Sequence, residues 1–179
     1  KSAMYYAINM QQPEIVTALI KAGADVNAPS DPTDVNDPTQ PLFLAIKTGQ
    51  LDVTRQVIVA GADVNARDAK GSVPLHRAVL ARPDDVMLGM VAALLDAGAD
   101  ANAMRPKGGA PLHNLIFGGG DLQPATVADV LSVFAQHRAD INLPAEFDGA
   151  TPLDVAKAKG NQAAIQALTS LGAQCKLNC

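Results

Sequence analysis

Large aromatic side chains are scarce in this sequence, which has no Trp, two Tyr and four Phe among 179 residues. A core must therefore be built from Ala, Leu, Val and Ile packed at close range. Apolar residues make up 48% of the chain and charged residues 18%, as in ordinary soluble globular proteins. This composition suits thin, stacked layers better than a single wide core.

The chain also lacks a run of basic residues and a long apolar segment. Its 14 bases are spread along the sequence and the net charge is −4, so it presents no basic patch for the phosphates of a nucleic acid. No apolar stretch approaches the ~18–20 residues that cross a bilayer. We therefore expect neither nucleic-acid binding nor membrane insertion.

Motifs of common enzyme and metal sites are missing as well. There is no HExxH, GxSxG or phosphate-binding loop, and GGG at 118–120 lacks the strand, helix and Lys-Ser/Thr partner of such a loop. Asp84, Asp85 and the acids of residues 29–40 lack the glycine-centred spacing of a calcium loop, so a solvated acidic surface is expected. The sequence predicts no catalytic residues, no metal site and no cofactor.

What the chain does contain is an internal repeat. The segment AGADVNA occupies residues 22–28 and 60–66, and AGADANA occupies 97–103. Weaker copies are HRADINL at 137–143 and LGAQCKL at 171–177. A second segment alternates with the first, in the copies SAMYYA (2–7), QPLFLA (40–45), VPLHRA (73–78), APLHNL (110–115) and TPLDVA (151–156). Two segments in one phase over five copies indicate a repeat protein.

The copy over residues 37–66 shows how one repeat should fold. Pro41 stands where a first helical turn begins, because its missing N–H is not needed there, and a short helix is predicted over about 41–48. A second helix should end at Gly61, which can adopt the left-handed conformation that closes a helix. Helices this short are marginal alone in water, so we expect them to stack. The apolar residues at helical spacing in the five second helices are Ile15, Val16, Leu19 and Ile20, then Val53, Val57 and Ile58, then Val91, Leu94 and Leu95, then Val130, Leu131, Val133 and Phe134, then Ile165 and Leu168.

The pairing of a TPLHxA-like segment with a GADVNA-like segment at about 33 residues resembles the ankyrin repeat family. The resemblance covers nearly the whole chain, as one domain over residues 1–179. It implies an all-α helical repeat solenoid in which each unit has two antiparallel helices and a projecting hairpin loop. The first unit lacks its hairpin and the last is a degenerate cap. The five units are about 1–28, 29–66, 67–103, 104–143 and 144–179.

Three insertions depart from the family pattern. The first is PSDPTDVNDPTQ at 29–40, in the hairpin between the first two units. The other two, LARPDDVML at 80–88 and FGGGDLQPATVAD at 117–129, are predicted to lie between the paired helices of the third and fourth units. Insertions at loop tips cost little, so they are either neutral drift or partner contacts. Arg138 also departs from the pattern, because it replaces the glycine that ends a second helix.

The first two histidines, His76 and His113, occupy the fourth place of the PLH segment. In the ankyrin family this side chain forms hydrogen bonds between neighbouring units, so the resemblance implies a structural role. Tyr5, Phe43 and Asp154 fill the same place in the other copies. These residue types are not interchangeable in catalysis, which argues against a catalytic set.

Both cysteines, Cys175 and Cys179, lie in the last five residues. A disulfide between them would pin the tail over the last unit, and it favours an oxidising location. The alternative is two free thiols in a reducing compartment. Residue 1 is Lys rather than Met, so something upstream has been removed, and a signal peptide is one candidate. We expect a periplasmic or secreted protein, with a cytoplasmic one as the alternative.

The ankyrin resemblance implies protein–protein recognition on a concave surface formed by the hairpins and the first helices. We therefore expect a non-catalytic interaction module that binds another protein and is a monomer when unbound. Two alternatives stay open. One is a dedicated inhibitor, such as an immunity protein that neutralises one toxic enzyme, and the other is an enzyme. A tight one-to-one complex with a neighbouring gene product would identify the inhibitor.

The family's geometry also selects the residues of this surface. The first hairpin carries three acids and no base, whereas the third carries two bases and no acid. We therefore expect a negative end and a positive middle that steer a partner. Exposed apolar side chains are the expected anchors unless they pack within the chain. The predicted partner-binding residues are Asp31, Asp34, Asn36, Asp37, Lys47, Arg67, Lys70, Leu80, Met104, Arg105, Lys107, Phe117, Phe147 and Lys159.

Overall fold

The computed structural model of the protein describes residues 1–29, 40–118 and 122–177. These residues form ten helices and contain no strand, which confirms the all-α prediction. The chain folds as two compact units, Lys1–Ala99 (unit 1) and Asp100–Cys179 (unit 2). A single domain over the whole chain stays a prediction. The helices are α1 (Ala3–Asn9), α2 (Pro13–Lys21), α3 (Pro41–Lys47), α4 (Leu51–Val59), α5 (Pro74–Ala78), α6 (Asp84–Asp96), α7 (Pro111–Gly118), α8 (Pro124–Gln136), α9 (Pro152–Lys159) and α10 (Gln162–Ser170).

Proline begins most of these helices, as the sequence predicts for Pro41. Six of the ten helices have proline as their first residue, a position where the missing N–H costs no hydrogen bond and the restricted φ favours the helix. Where proline is not the start, a side chain can cap the helix. Ser2 accepts a hydrogen bond from the N–H of Tyr5 at 3.1 Å, and Asn161 accepts one from Ala164 at 3.0 Å.

Unit 1 consists of three helix pairs, α1 with α2, α3 with α4 and α5 with α6. The first helices α1, α3 and α5 contact one another in sequence, and so do the second helices α2, α4 and α6. Stacking of the short helices is thereby confirmed in this unit. Six of the seven residues of α3 are buried, because helices pack on it from both sides. Ile8, Leu42 and Leu75 are the largest fully buried side chains of the three first helices.

Unit 2 stacks α7 against α9 and α8 against α10, and α9 also packs on α10. Its core contains Phe134 of α8, which is fully buried, together with aliphatic side chains. The other large side chains that are fully buried in this unit are Leu112, Leu115, Ile116, Leu131 and Leu168. The core is therefore mainly aliphatic, as the scarcity of aromatic residues predicts.

The insertions in the third and fourth repeats are partly helical, which corrects the prediction that they lie between the paired helices. The helices α6 and α8 have 13 residues each, whereas α2, α4 and α10 have nine. Asp84 and Asp85 form the first turn of α6, where carboxylates interact favourably with the helix dipole. The insertions thus lengthen the second helices by about one turn. Residues 30–39 of the first insertion lie outside the described part of the chain.

The Asp of the repeated AGADVNA segment stabilises a local turn. Asp63 accepts a hydrogen bond from the N–H of Asn65 at 2.9 Å, and Asp25 accepts one from Asn27 at 2.8 Å. The same pair recurs between Asp100 and Asn102 at 2.9 Å and between Asp140 and Asn142 at 2.8 Å. This turn is the common local use of an Asp two residues before a backbone donor. The turn gives the Asn of each segment the same orientation.

Each oriented Asn then binds the following copy of the segment. Asn27 donates to the carbonyl of Gly61 at 2.9 Å and accepts from the N–H of Asp63 at 2.7 Å. In unit 2, Asn102 donates to the carbonyl of Arg138 at 3.3 Å and accepts from Asp140 at 2.7 Å. One amide side chain thus satisfies a donor and an acceptor of the next loop, which explains why the segment is repeated.

Arg138 adopts the backbone conformation of the glycine it replaces. Its φ is +61°, and α8 ends at Gln136 with His137 as the capping residue. The corresponding glycines Gly61 and Gly98 have φ values of +93° and +87°. The helix therefore ends in the same way as in the other repeats, although the left-handed conformation is unfavourable for a residue with a Cβ atom.

Candidate partner-binding surface

His113 holds two repeats together through both of its ring nitrogens. Nδ1 accepts a hydrogen bond from the N–H of Ala110 at 3.2 Å, so the neutral ring carries its proton on Nε2, which donates to the carbonyl of Ala150 at 3.1 Å. Burial lowers the pKa of His113 below its usual value, against the opposing effect of these hydrogen bonds. His76 is also buried, and its Nδ1 accepts from Val73 at 3.2 Å. The structural role implied for His113 is confirmed.

Asp154 fills the histidine place of the last repeat and binds the C-terminal tail. Oδ2 accepts from the N–H of Thr151 at 2.9 Å, while Oδ1 accepts from Lys176 at 3.1 Å and from Leu177 at 3.0 Å. Burial raises the pKa of Asp154, but the hydrogen bonds from Thr151, Leu177 and Lys176 outweigh it and hold the pKa below its usual value. The tail is also held by Asn142, which accepts from the N–H of Gln174 at 2.6 Å.

The predicted surface residues of unit 1 lie in two places. Lys47 is exposed at the end of α3, and Leu80 is 42% exposed after α5. Arg67 and Lys70 are exposed in the loop before α5, where Arg67 donates to the carbonyl of Gly71 at 2.7 Å. Lys47 and Lys70 are therefore exposed cations of this predicted surface.

Asp68 organises that loop although sequence reasoning did not select it. Its carboxylate pairs with Arg77 at 2.5 Å and accepts from the N–H groups of Lys70 at 2.8 Å and Ser72 at 2.9 Å. Burial raises the pKa of Asp68, but the hydrogen bond from Arg77 and those from Ser72 and Lys70 lower it below its usual value. The separation of Asp68 and Arg77 follows no helical spacing, so no sequence pattern reveals the pair.

In unit 2, the loop before α7 is more compact than its sequence indicates. Met104 and Arg105 are half-buried, and the side chain of Arg105 covers Gly108, where an added Cβ would lie 2.5 Å from Nε. Lys107 is exposed and has a φ of +53°. Its N–H donates to Oε2 of Glu146 at 2.7 Å. An acid from the next loop therefore lies beside the backbone of Lys107, which weakens the positive region expected from this hairpin alone.

Two of the four phenylalanines are exposed in unit 2. Phe117 is 66% exposed at the end of α7, and Phe147 is 81% exposed in the loop before α9. Lys159 is exposed, with its Nζ 3.8 Å from the centroid of the Phe117 ring, a favourable cation–π distance. Phe147 contributes little to the core, and Phe117 is covered on one side by a lysine.

Some of the predicted residues lie outside the described part of the chain. They are Asp31, Asp34, Asn36 and Asp37 of the first hairpin, and Cys179 of the tail. The Sγ atom of Cys175 lies 2.9 Å from Oδ1 of Asp154, so this sulfur stands where the tail is attached. Among the described residues, no group of three or more His, Cys, Asp and Glu could hold a metal ion. No described helix is long and apolar enough to cross a membrane.

Sequence comparison identifies the repeat. No curated protein sequence matches the chain. The family profile of ankyrin repeats matches residues 4–105 in three copies, which is more than half of the chain. The matched residues contain the helix pairs of unit 1 and the Asp and Asn residues that link their loops. The chain therefore belongs to the ankyrin repeat family.

Proposed function

We propose that this protein is a non-catalytic interaction module that binds one partner protein through its hairpin loops and first helices. Proteins of the family generally act in protein–protein interaction. The observation that carries the proposal is the exposure of Phe147, at 81%, and of Phe117, at 66%, in a chain with four phenylalanines. Aromatic side chains buried on binding commonly dominate the affinity of an interface.

Exposed charged residues in each unit support the same proposal. Lys47, Lys70 and Lys159 are exposed, and Lys159 lies directly over the ring of Phe117. A partner that covers this ring would also meet the ammonium group, so an acidic or carbonyl-rich contact is favoured there. The binding set comprises Asp31, Asp34, Asn36, Asp37, Lys47, Arg67, Lys70, Leu80, Met104, Arg105, Lys107, Phe117, Phe147 and Lys159.

Affinity capture from the native organism, followed by titration of the purified partner, tests the proposal. Phe147→Ala should weaken the captured complex by about tenfold or more if the ring is an anchor. Leu171→Ala is the matched control, because Leu171 is exposed after α10 and outside the binding set. The partner would bind outside the proposed surface if Phe147→Ala bound as tightly as the parent while Leu171→Ala lost binding. Sedimentation of the unbound protein should show a monomer.

A dedicated inhibitor, such as an immunity protein, is the second candidate, and it uses the same surface. A neighbouring gene product that forms a tight one-to-one complex and loses its enzymatic activity in that complex would establish this role. A partner that keeps its activity in the complex would instead support a module that holds or protects it. Turnover by this protein, abolished by a single polar substitution, would contradict both.

We further propose that Cys175 and Cys179 form a disulfide and that the protein acts in an oxidising compartment, periplasmic or secreted. Lys176 and Leu177, which lie between the two cysteines, donate backbone hydrogen bonds to Asp154, and this supports a tail pinned to the last repeat. Such a bond closes a very short loop and restrains the tail in the unfolded chain. The intact native protein should weigh two hydrogen atoms less than the reduced form and resist alkylation without a reductant. Rapid alkylation of both thiols would favour the cytoplasm.

A further inference from the structure

The second helices of the first two repeats, α2 and α4, form the walls of a groove on unit 1 with a volume of about 340 Å³. Its surface is almost wholly apolar carbon. The groove lies on the second helices and contains no residue of the binding set proposed above, so it is a separate surface. The residues that line it are Thr17, Ile20, Lys21, Arg55, Gln56 and Val59.

Val59 is 89% exposed, and packing does not require an apolar residue at its position. It is the last residue of α4. The helix-ending residues at the same place in the other repeats are polar, so the chain itself shows that the repeat tolerates a polar side chain there. Valine is also a poorer helix former than the lysine or glutamine found in two of them. These residues are Lys21, Asp96, Gln136 and Ser170.

The charged residues of the groove are both cations. Lys21 and Arg55 are exposed and form no ion pair with a described carboxylate, although the chain carries a net charge of −4. The acids of α2 and α4 lie in the first turns of these helices and do not line the groove. Thr17 and Gln56 form a side-chain hydrogen bond across the groove at 3.0 Å, which links α2 to α4. The groove thus offers two cations beside an apolar wall.

We propose that this groove binds an amphipathic helical segment of a partner protein, with apolar side chains against Ile20 and Val59 and carboxylates near Lys21 and Arg55. Helices commonly bind in this way, through apolar residues at spacings of three and four. A small anionic amphiphile fits less well. Sites for small ligands usually enclose most of the ligand, whereas this wall is open at Val59, so only a larger surface would cover it.

A library of displayed helical peptides, about 16 residues long, selected on the whole protein tests this proposal. The selected peptides should carry apolar residues on one face and a net negative charge. Fluorescence anisotropy should show binding about fivefold weaker in Val59→Gln and about tenfold weaker in Arg55→Glu. Ile15→Gln and Lys157→Glu are the controls, because they change an exposed isoleucine and an exposed lysine outside the groove. Both should bind within about twofold of the parent.

Three results would overturn the proposal. One is selected peptides whose binding is unchanged in both groove variants, and another is a set of selected peptides with net positive charge. The third combines two observations: Val59→Gln weakens the binding of monomeric dodecanoate, and no selected peptide depends on Val59. That result would assign the groove to an anionic amphiphile. Glutamine is a better helix former than valine, so Val59→Gln should fold, and circular dichroism of each variant verifies this.

Discussion

The carboxylate of Asp154 accepts a hydrogen bond from the backbone N–H of Leu177 at 3.0 Å, in the place where His113 donates to a carbonyl. The two residues occupy the same position of their repeats but face opposite partners. His113 faces the next repeat, which offers the carbonyl of Ala150, whereas Asp154 faces the tail, which offers N–H groups. An acceptor therefore replaces a donor where the repeats end.

Asp154→Asn should lower the free energy of unfolding by about 2–3 kcal/mol at neutral pH. Both carboxylate oxygens accept hydrogen bonds from backbone N–H groups. In asparagine, an NH2 group replaces one of these oxygens and would face backbone N–H donors that it cannot accept from. The folded pKa of Asp154 lies below its usual value, so its stabilisation is complete above about pH 4 and is lost as the pH falls further. Urea unfolding at neutral pH and near pH 3 measures this.

Asp129→Asn is the control for that experiment, because Asp129 is exposed on α8. Its effect should stay within about 0.5 kcal/mol. If Asp154→Asn reduced stability equally at both pH values, the charge of Asp154 would not be the cause of its contribution.

His113→Gln should destabilise the protein and change how stability responds to mild acid. Burial holds the pKa of His113 below its usual value, so the unfolded chain binds a proton at this residue before the folded chain does. The parent should therefore lose stability as the pH falls through about 6.5, and the variant should lose less. Urea unfolding at about pH 7.5 and pH 5 gives both slopes. Equal slopes would mean that His113 is not the group responsible.

Asn102→Ala tests the link between successive loops. Removal of its hydrogen bonds to Arg138 and Asp140 should cost about 1–2 kcal/mol. Asn102→Asp keeps the acceptor but turns a carboxylate toward the carbonyl of Arg138. The loss of unfolding free energy in this variant should therefore be at least as large at neutral pH. Chemical denaturation measures both, with Gln166→Ala on the exposed side of α10 as the control. A neutral Asn102→Ala would show that the loops do not need this amide.

The double change Arg105→Glu and Lys107→Glu tests electrostatic steering. Association with the native partner should slow, because complementary charge acts mainly on the association rate. The melting temperature should fall by no more than a few degrees, because Lys107 is exposed and Arg105 is half-buried in a loop and changes away from the core usually alter stability little. Stopped-flow kinetics at low and high salt measures the effect, which salt should reduce. If the double variant associates as fast as the parent while deletion within residues 118–125 abolishes binding, the partner contacts the segment between α7 and α8.

The sequence predicted the helices because their signals are local and repeated. Pro41 and Gly61 mark helix ends by backbone chemistry alone, and the structure places α3 and α4 accordingly. The contact between Lys107 and Glu146 leaves no such signal, because it joins loops of two repeats and depends on how they stack. The extra turn of α6 was missed for another reason, since an insertion in sequence does not show whether it lengthens a loop or a helix.

Arg138→Gly should stabilise the protein, although it removes a side chain. Arg138 has a φ of +61°, and a residue with a Cβ atom pays about 1–2 kcal/mol for this conformation. Glycine avoids that cost but gains freedom in the unfolded chain, which offsets about 0.4–1 kcal/mol. The net gain should be about 0.5–1 kcal/mol in urea unfolding. The hydrogen bond from Asn102 uses the backbone carbonyl of residue 138, so it survives the change.

Arg138→Ala is the control for this prediction, because it keeps the Cβ atom and should therefore gain no stability. If alanine stabilised the protein as much as glycine, the guanidinium group rather than the backbone conformation would be the source of the strain.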